Sequence, residues 1–375
     1  MKVIQYVYHK KEPQKPPTNE QFDLALVFGD RYILADEAFM NSIKLSINAE
    51  TWLMASTSGE IAGSEVYDET VVATLIKFNK TKLRTAIVNI NDVSDSFEAG
   101  KNLINQLIDE NPCHIFVLSD GTKVNGSELA NGMNSVLPEG VAITGGLAGD
   151  ADRFQETIVS LNDDCRSGNI AAVAFYGSNL RIGHGSKGGW DSFGPDRKIT
   201  KASANVLYEL DGKSALQLYK EYLGELANDL PSTALLFPLA LRSRKDSQPL
   251  VRTILGINEV EQSMTFAGDM PIGSYARLMR ANFDRLIDAA SVAANDTLSQ
   301  VENQQTELAI LISCVGRKLV LNQRVDEEVE SVRHILGKEA VITGFYSYGE
   351  ISPLAKSMKC ELHNQTMTIT TLSET

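Results

Sequence analysis

Two stretches carry one tripeptide in matching surroundings: Ser56-Thr57-Ser58-Gly59-Glu60-Ile61 and Tyr346-Ser347-Tyr348-Gly349-Glu350-Ile351. Working outward, each is preceded by an apolar run, Trp52-Leu53-Met54-Ala55 in the first copy and Ala340-Val341-Ile342-Thr343 in the second. Further upstream, Phe22 to Gly29 and Glu307 to Gly316 are apolar runs that end at a glycine, each followed by a polar–apolar stretch of helical length. The shared order is strand, turn, helix, strand, and a repeat at this scale governs the fold more than any single motif. Two further segments fit the template: His114 to Gly121 leading to Val141 through Asp150, and, less regularly, Ser232 to Leu239 leading to Leu250 through Gly256. Short apolar runs of this length read as buried strands, and strands alternating with helices give an α/β class. The expectation is two domains of repeated strand–helix–strand units, their mixed sheets covered by helices.

The 375 residues exceed one typical core. The boundary is placed near Gly212, after the strand-and-turn stretch Asn205 to Gly212, giving an N-terminal arm over 1–21 and domains over 22–212 and 213–375. Residues 9–20 read as a loop or arm, 242–249 as a polar hairpin-like connection, 178–200 as glycine-dense and aperiodic, and 282–304 as a helix with an alanine face. A net charge of −13 argues against a nucleic-acid-binding face, which needs clustered Lys and Arg. No apolar stretch approaches a membrane span, and Met1 to Tyr8 lacks the pattern of a signal peptide, so a cytoplasmic address is expected.

Chemistry-bearing patterns are sparse. The four cysteines are scattered without C-x-x-C spacing, which excludes a zinc knuckle, a thioredoxin-type pair and a covalent haem attachment. They read as buried thiols, with Cys314 the one a reactive-thiol hypothesis would choose. Asp120 to Glu128 has two glycines five apart but lacks the Lys-Ser/Thr of a phosphate loop. Asn125 with Glu128 instead makes a helix-capping box. Gly145-Gly146-Leu147-Ala148-Gly149-Asp150 is followed by a strand rather than a helix, against a dinucleotide fingerprint. Neither Ser58 nor Ser347 sits in a G-x-S-x-G elbow, so an acyl-transfer or hydrolytic enzyme stays an alternative that no motif requests. Glu60 and Glu350 would form an acid–base pair if the repeats faced each other, or else hold turns. His184, within Arg181 to Trp190, and His363, ahead of an alternating strand, are the histidines with a candidate ligand role.

The stretches Ser56–Ile61, Leu118–Gly121, Thr144–Asp150, Asn205–Gly212 and Gly344–Ile351 together resemble the FIST family across nearly the whole chain. The resemblance implies a ligand-sensing, non-enzymatic module with an N-terminal and a C-terminal FIST domain, binding a small molecule such as an amino acid and signalling through a partner. In some stand-alone bacterial members it further implies haem b, nitric oxide sensing and a histidine kinase partner. It does not say which histidine would hold the iron, and His184 and His363 are axial candidates from their sequence surroundings alone. The expected ligand-binding residues are Ser58, Gly59, Glu60, Asp120, Gly145, Gly146, Arg181, Lys187, Trp190, Arg317, Tyr346, Tyr348 and Glu350. Arg181, Arg197 or Arg317 would clamp a carboxylate, and Glu60 or Glu350 would meet an ammonium.

Overall fold

A computed structural model describes residues 1–10, 20–244, 249–301, 304–353 and 358–375. The repeat is threefold. Each unit has two parallel strands joined by a helical crossover: Gln21–Gly29 with Asn48–Ser56, His114–Ser119 with Ala142–Leu147, and Leu308–Cys314 with Val341–Ser347. A return strand lies antiparallel to the first strand of each pair, namely Thr70–Lys77, Asn169–Tyr176 and Met367–Glu374. An edge strand then lies against each return strand: Lys2–His9, Lys82–Asn89 and Leu180–Lys187. The parallel strands are buried along most of their length, as continuous Val/Ile/Leu/Phe runs require when both faces are covered.

The units are interlocked by exchange of the strand that follows each parallel pair. Glu60–Ala62, from unit one, pairs with Val341–Ser347 of unit three. Gly349–Pro353, from unit three, pairs with Ala142–Leu147 of unit two. Val159–Leu161, from unit two, pairs with Asn48–Ser56 of unit one. Each sheet therefore contains a strand from another unit, and one apolar cluster includes Phe28, Phe116, Ile310 and Phe345 from all three.

The third unit carries an insertion between its edge strand and the helix Phe283–Gln300. The insertion is a separate antiparallel sheet running from Asp191–Ser203 to Tyr275–Arg280, with the helix Ala215–Leu223 on its core. Several expectations change here. The stretch 178–200 is not aperiodic but contributes Leu180–Lys187, whose Gly183 and Gly185 allow close packing on the helix Phe283–Gln300, and Asp191–Ser203. Ser232 to Leu239 is not a fourth repeat, because Ser232–Leu236 is a 3₁₀ helix and Leu239–Arg242 pairs antiparallel with Leu250–Arg252. Lys2–His9 is an edge strand rather than an arm. Residues 11–19 of the expected loop and 245–248 of the expected connection lie outside the described residues. The position Gly212 falls at the hairpin between Val206–Leu210 and Lys213–Ser214, inside the inserted sheet.

Candidate functional site

Where a first parallel strand ends, its unit must turn the chain into a helix or loop and satisfy the freed N–H groups. Asp30 does this in unit one, accepting from the amides of Tyr32 and Ile33 at 2.8 and 3.3 Å. Asp120 does it in unit two, accepting from Thr122 and Lys123 at 2.8 Å each, and its second oxygen accepts from the Gly168 amide. In unit three the corresponding residue is Cys314, which makes no side-chain capping bond to the helix Val315–Leu321.

The Gly-Glu-Ile turns repeat in atomic detail. The Thr57 hydroxyl donates to Glu60 and the Ser347 hydroxyl to Glu350, each three residues before its glutamate. The opposite carboxyl oxygen accepts from the hydroxyl and amide of Thr70, at 2.7 and 3.3 Å, and from those of Thr366, at 2.8 and 3.3 Å. Burial pushes the Glu60 carboxyl up to about 7 and that of Glu350 up to about 8, although the hydroxyl bonds favour the ionised form. Glu60 pairs with Phe345 and Glu350 with Gly146, on two different sheets, so these side chains latch the exchanged strands and do not form one acid–base pair.

Outside the carboxyl ends of the parallel strands of units two and three, a cleft opens against the inserted sheet. Two cavities share Phe154, Leu255, Ala267 and Tyr348 as walls. One, of about 320 Å³, lies on the 121–126 turn and faces Asn205 and Gly268. The other, of about 420 Å³, is lined by Leu235, Thr253, Ile254, Cys314, Val315 and Gly316 among others. Phe154 and Tyr348 are stacked with ring centroids 4.4 Å apart, and the Tyr348 hydroxyl accepts from the Phe154 amide at 3.0 Å. The inserted sheet is tied to this rim by the Asn125 amide, which donates to Asp269 at 3.1 Å, and by Arg252, which donates to the Leu362 carbonyl at 2.8 Å. Carboxyl ends of parallel strands are the usual place for ligands in open α/β sheets.

Of the residues expected from sequence, Tyr348 lines this cleft. Ser58 borders a neighbouring cavity with Asp152 and Lys318, though its hydroxyl is spent on the Ala151 carbonyl at 2.9 Å. Arg317 is fully buried, paired with Glu328 and donating to the carbonyls of Gly188 and Leu286, so it is not available as a carboxylate clamp. Tyr346 donates to the same Glu328 inside the core, Trp190 donates to the Gln365 carbonyl, and Lys187 pairs with Asp296. Arg197 is taken up by Asp211 and Tyr222. Gly59 has φ +131°, while Gly145 and Gly344 sit at φ +152° and +155°, where a Cβ would lie 1.8 Å from the carbonyl oxygen of Val117 or Leu311. These two glycines keep neighbouring backbones in contact, and Gly146 packs on Ile312. The cleft residues missed from sequence, Leu235, Asn205, Thr253 and Leu255, come from the insertion, whose placement no local pattern encodes. Phe154 had a signal, an aromatic side chain in the polar run Asp150 to Glu156.

A separate cavity of about 630 Å³ lies between units two and three, lined by Cys113, His114, Leu180, Arg181, Ile182, His184 and Val301 among others. His184 bonds Gln300 through its backbone only, leaving the ring free among the described residues, and burial holds it on the neutral side. Buried His114 shares its Nε2 with the Thr144 hydroxyl. A neutral ring in an apolar-walled cavity with a guanidinium at its edge has the features of a haem site, so His184 fits. His363 fits poorly: it is buried with its Nε2–H donating to the Ser352 carbonyl at 3.0 Å.

For hydrolytic chemistry the groups are set the wrong way. Burial pushes the Cys314 thiol up to about 12, away from a nucleophilic thiolate, and the Ser347 hydroxyl is committed to Glu350.

Compared with known proteins, residues 23–213 match the FIST N domain and residues 215–353 match the FIST C domain. An uncharacterized protein of Methanocaldococcus jannaschii is 26% identical over 241 residues, which cover 56% of this chain and 45% of that protein. The matched stretch thus spans less than half of that relative.

Proposed function

The chain belongs to the FIST family of signal-transduction sensor modules, and on that premise we propose that it senses a small molecule held in the cleft between its inserted sheet and units two and three. The observation that carries this reading is the position of the cleft, outside the carboxyl ends of two parallel strand pairs and closed on its far side by a separately packed sheet. A ligand that binds the closed arrangement more tightly shifts its population, and the shift changes the surface offered to a partner. That partner is a cytoplasmic signalling protein, a histidine kinase being the kind the family resemblance suggests. No helix among the described residues is long and apolar enough to cross a membrane. A thermal-shift screen of metabolites tests the reading: stabilising ligands should lose their effect in Tyr348→Ala. A flat response across saturating compounds would sink it.

A second reading has its own observation, the cavity around His184. There haem b would be held by the imidazole of His184, with Arg181 at the cavity edge for its carboxylates, and would supply an iron centre able to take up nitric oxide. Titration of the protein with hemin should give a Soret band that His184→Ala abolishes and His363→Ala leaves in place. A band indifferent to His184→Ala would remove this assignment.

A further inference from the structure

We propose that the apolar end of the cleft takes an uncharged, ring-bearing molecule with one carbonyl oxygen, which accepts a hydrogen bond from Thr253. The inference names the ligand class for the cleft and rests on the sensor reading given above. Thr253 is only 5% exposed, lines the 420 Å³ cavity, and has a hydroxyl with no hydrogen-bond partner among the described residues. Buried hydroxyls are normally paired, and this one has almost no accessible surface, so a turn about χ1 that brings it to the cavity face lets a ligand atom complete the bond. Its backbone is tied to the inserted sheet, because its carbonyl accepts from the Ala267 amide at 2.9 Å, so χ1 is the torsion that moves the hydroxyl.

Of the other polar residues lining the cavity, Ser232 and Asp152 are exposed, while Tyr348 and Cys314 are buried. The Tyr348 hydroxyl accepts from the Phe154 amide and donates to the Ala151 carbonyl at 3.3 Å, and Cys314 is held as the neutral thiol. Asp152 is the one charged residue among those lining the cavity, no Lys or Arg being part of that wall, and Lys318 shares with Asp152 only the neighbouring cavity. The carboxylate of an amino acid would enter this end without a counter-ion, which low-dielectric surroundings penalise. Leu235, Ile254, Leu255 and Val315 supply an apolar wall, and the stacked rings of Phe154 and Tyr348 stand at the shared border of the two cavities. A flat ring packs against such a pair in offset or edge-to-face geometry.

Calorimetric titration of the full chain with acetophenone, ethylbenzene and L-phenylalanine tests the assignment. These probes share a benzene ring and differ in the carbonyl and in charge. Acetophenone should bind about fivefold more tightly than ethylbenzene, the size of one net hydrogen bond, and phenylalanine should not bind. Thr253→Val should bring acetophenone down to the ethylbenzene level while Thr253→Ser keeps the preference, and circular dichroism verifies that both variants are folded. Leu235→Trp, which fills the cavity, should abolish binding of both neutral probes. Phenylalanine binding at least as tightly as acetophenone, indifferent to Thr253→Val, would overturn the ligand class and leave the sensor reading standing. If none of the probes binds while the metabolite screen yields ligands sensitive to Tyr348→Ala, the ligand class also falls alone. Silence in both experiments removes both.

Discussion

Glu350 is a carboxyl group with no exposed surface, held by two hydroxyls and one amide where an exchanged strand begins. Its folded-state value of about 8 lies above the ordinary 4.5, and Glu60 is displaced the same way to about 7. Between 4.5 and about 8 the unfolded chain releases a proton that the folded chain keeps at Glu350, so the stability this group contributes falls as pH rises through that window and levels off above it. Below 6.5 the buried neutral His114 and His363, which the unfolded chain protonates, act in the opposite direction, so thermal melts should show the decline between about 6.5 and 8. Glu350→Gln should make it shallower, because an amide does not ionise and its single oxygen keeps part of the hydroxyl bonding. A slope unchanged in Glu350→Gln would show that the group is already ionised in the folded protein. At the glycines the governing quantity is space. Gly344→Ala and Gly145→Ala each combine a disfavoured φ with a clash against backbone, and should cost about 3 kcal/mol or more in denaturant melts. Gly349 behaves differently from what the repeated tripeptide suggests. An added Cβ would meet the end of the Leu362 side chain at 2.8 Å, a contact a rotamer change relieves, so Gly349→Ala should be milder than Gly344→Ala.

At the level of elements, the parallel strands were legible because Phe22 to Gly29, His114 to Gly121 and Glu307 to Gly316 are continuous apolar runs ending in turn residues. The N-cap at Asn125 was also legible, its side chain accepting from the amides of Ser127 and Glu128, but Glu128 does not close a capping box, because the Asn125 backbone amide donates to the Ser96 hydroxyl at 2.9 Å. The exchange of strands was not, since Glu60–Ala62 and Gly349–Pro353 are short and their partners lie hundreds of residues away or in another unit. For the same reason Arg317 read as a ligand clamp: a cation beside a glycine at a strand end looks available until the helix Val325–Leu336 brings Glu328 to it. Buried charges of this kind are costly to separate. Arg317→Met should destabilise the protein by about 3–5 kcal/mol by leaving Glu328 unpaired, and adding Glu328→Gln should recover part of that loss. A double variant no more stable than Arg317→Met would show that the guanidinium's bonds to Gly188 and Leu286 carry the effect instead.

For the whole molecule, the threefold exchange means that the division into FIST N and FIST C matches does not coincide with independently completed sheets. Residues 23–213 contain the parallel pairs of units one and two but not the pair of unit three. Glu60–Ala62 would lose Val341–Ser347, and Ala142–Leu147 would lose Gly349–Pro353, leaving two unpaired edges whose side chains are buried in the complete chain. An exposed apolar strand edge is a template for aggregation, and the cluster built from Phe28, Phe116, Ile310 and Phe345 would lose its third-unit members. The fragment 1–179, which stops ahead of the strand Leu180–Lys187, should therefore be collapsed or aggregated when produced alone. Co-expression with the fragment 180–375 should restore it, because the break falls in the turn between the return strand Asn169–Tyr176 and the edge strand Leu180–Lys187 and leaves every sheet pairing possible. Amide proton–nitrogen correlation spectra decide the matter. Dispersed, sharp resonances from 1–179 alone would show that the exchanged strands decorate units that fold by themselves. Dispersion that appears only on co-expression would show that the three units form one cooperative body. In that case a ligand wedged between unit two, unit three and the inserted sheet acts on the stability of the entire chain.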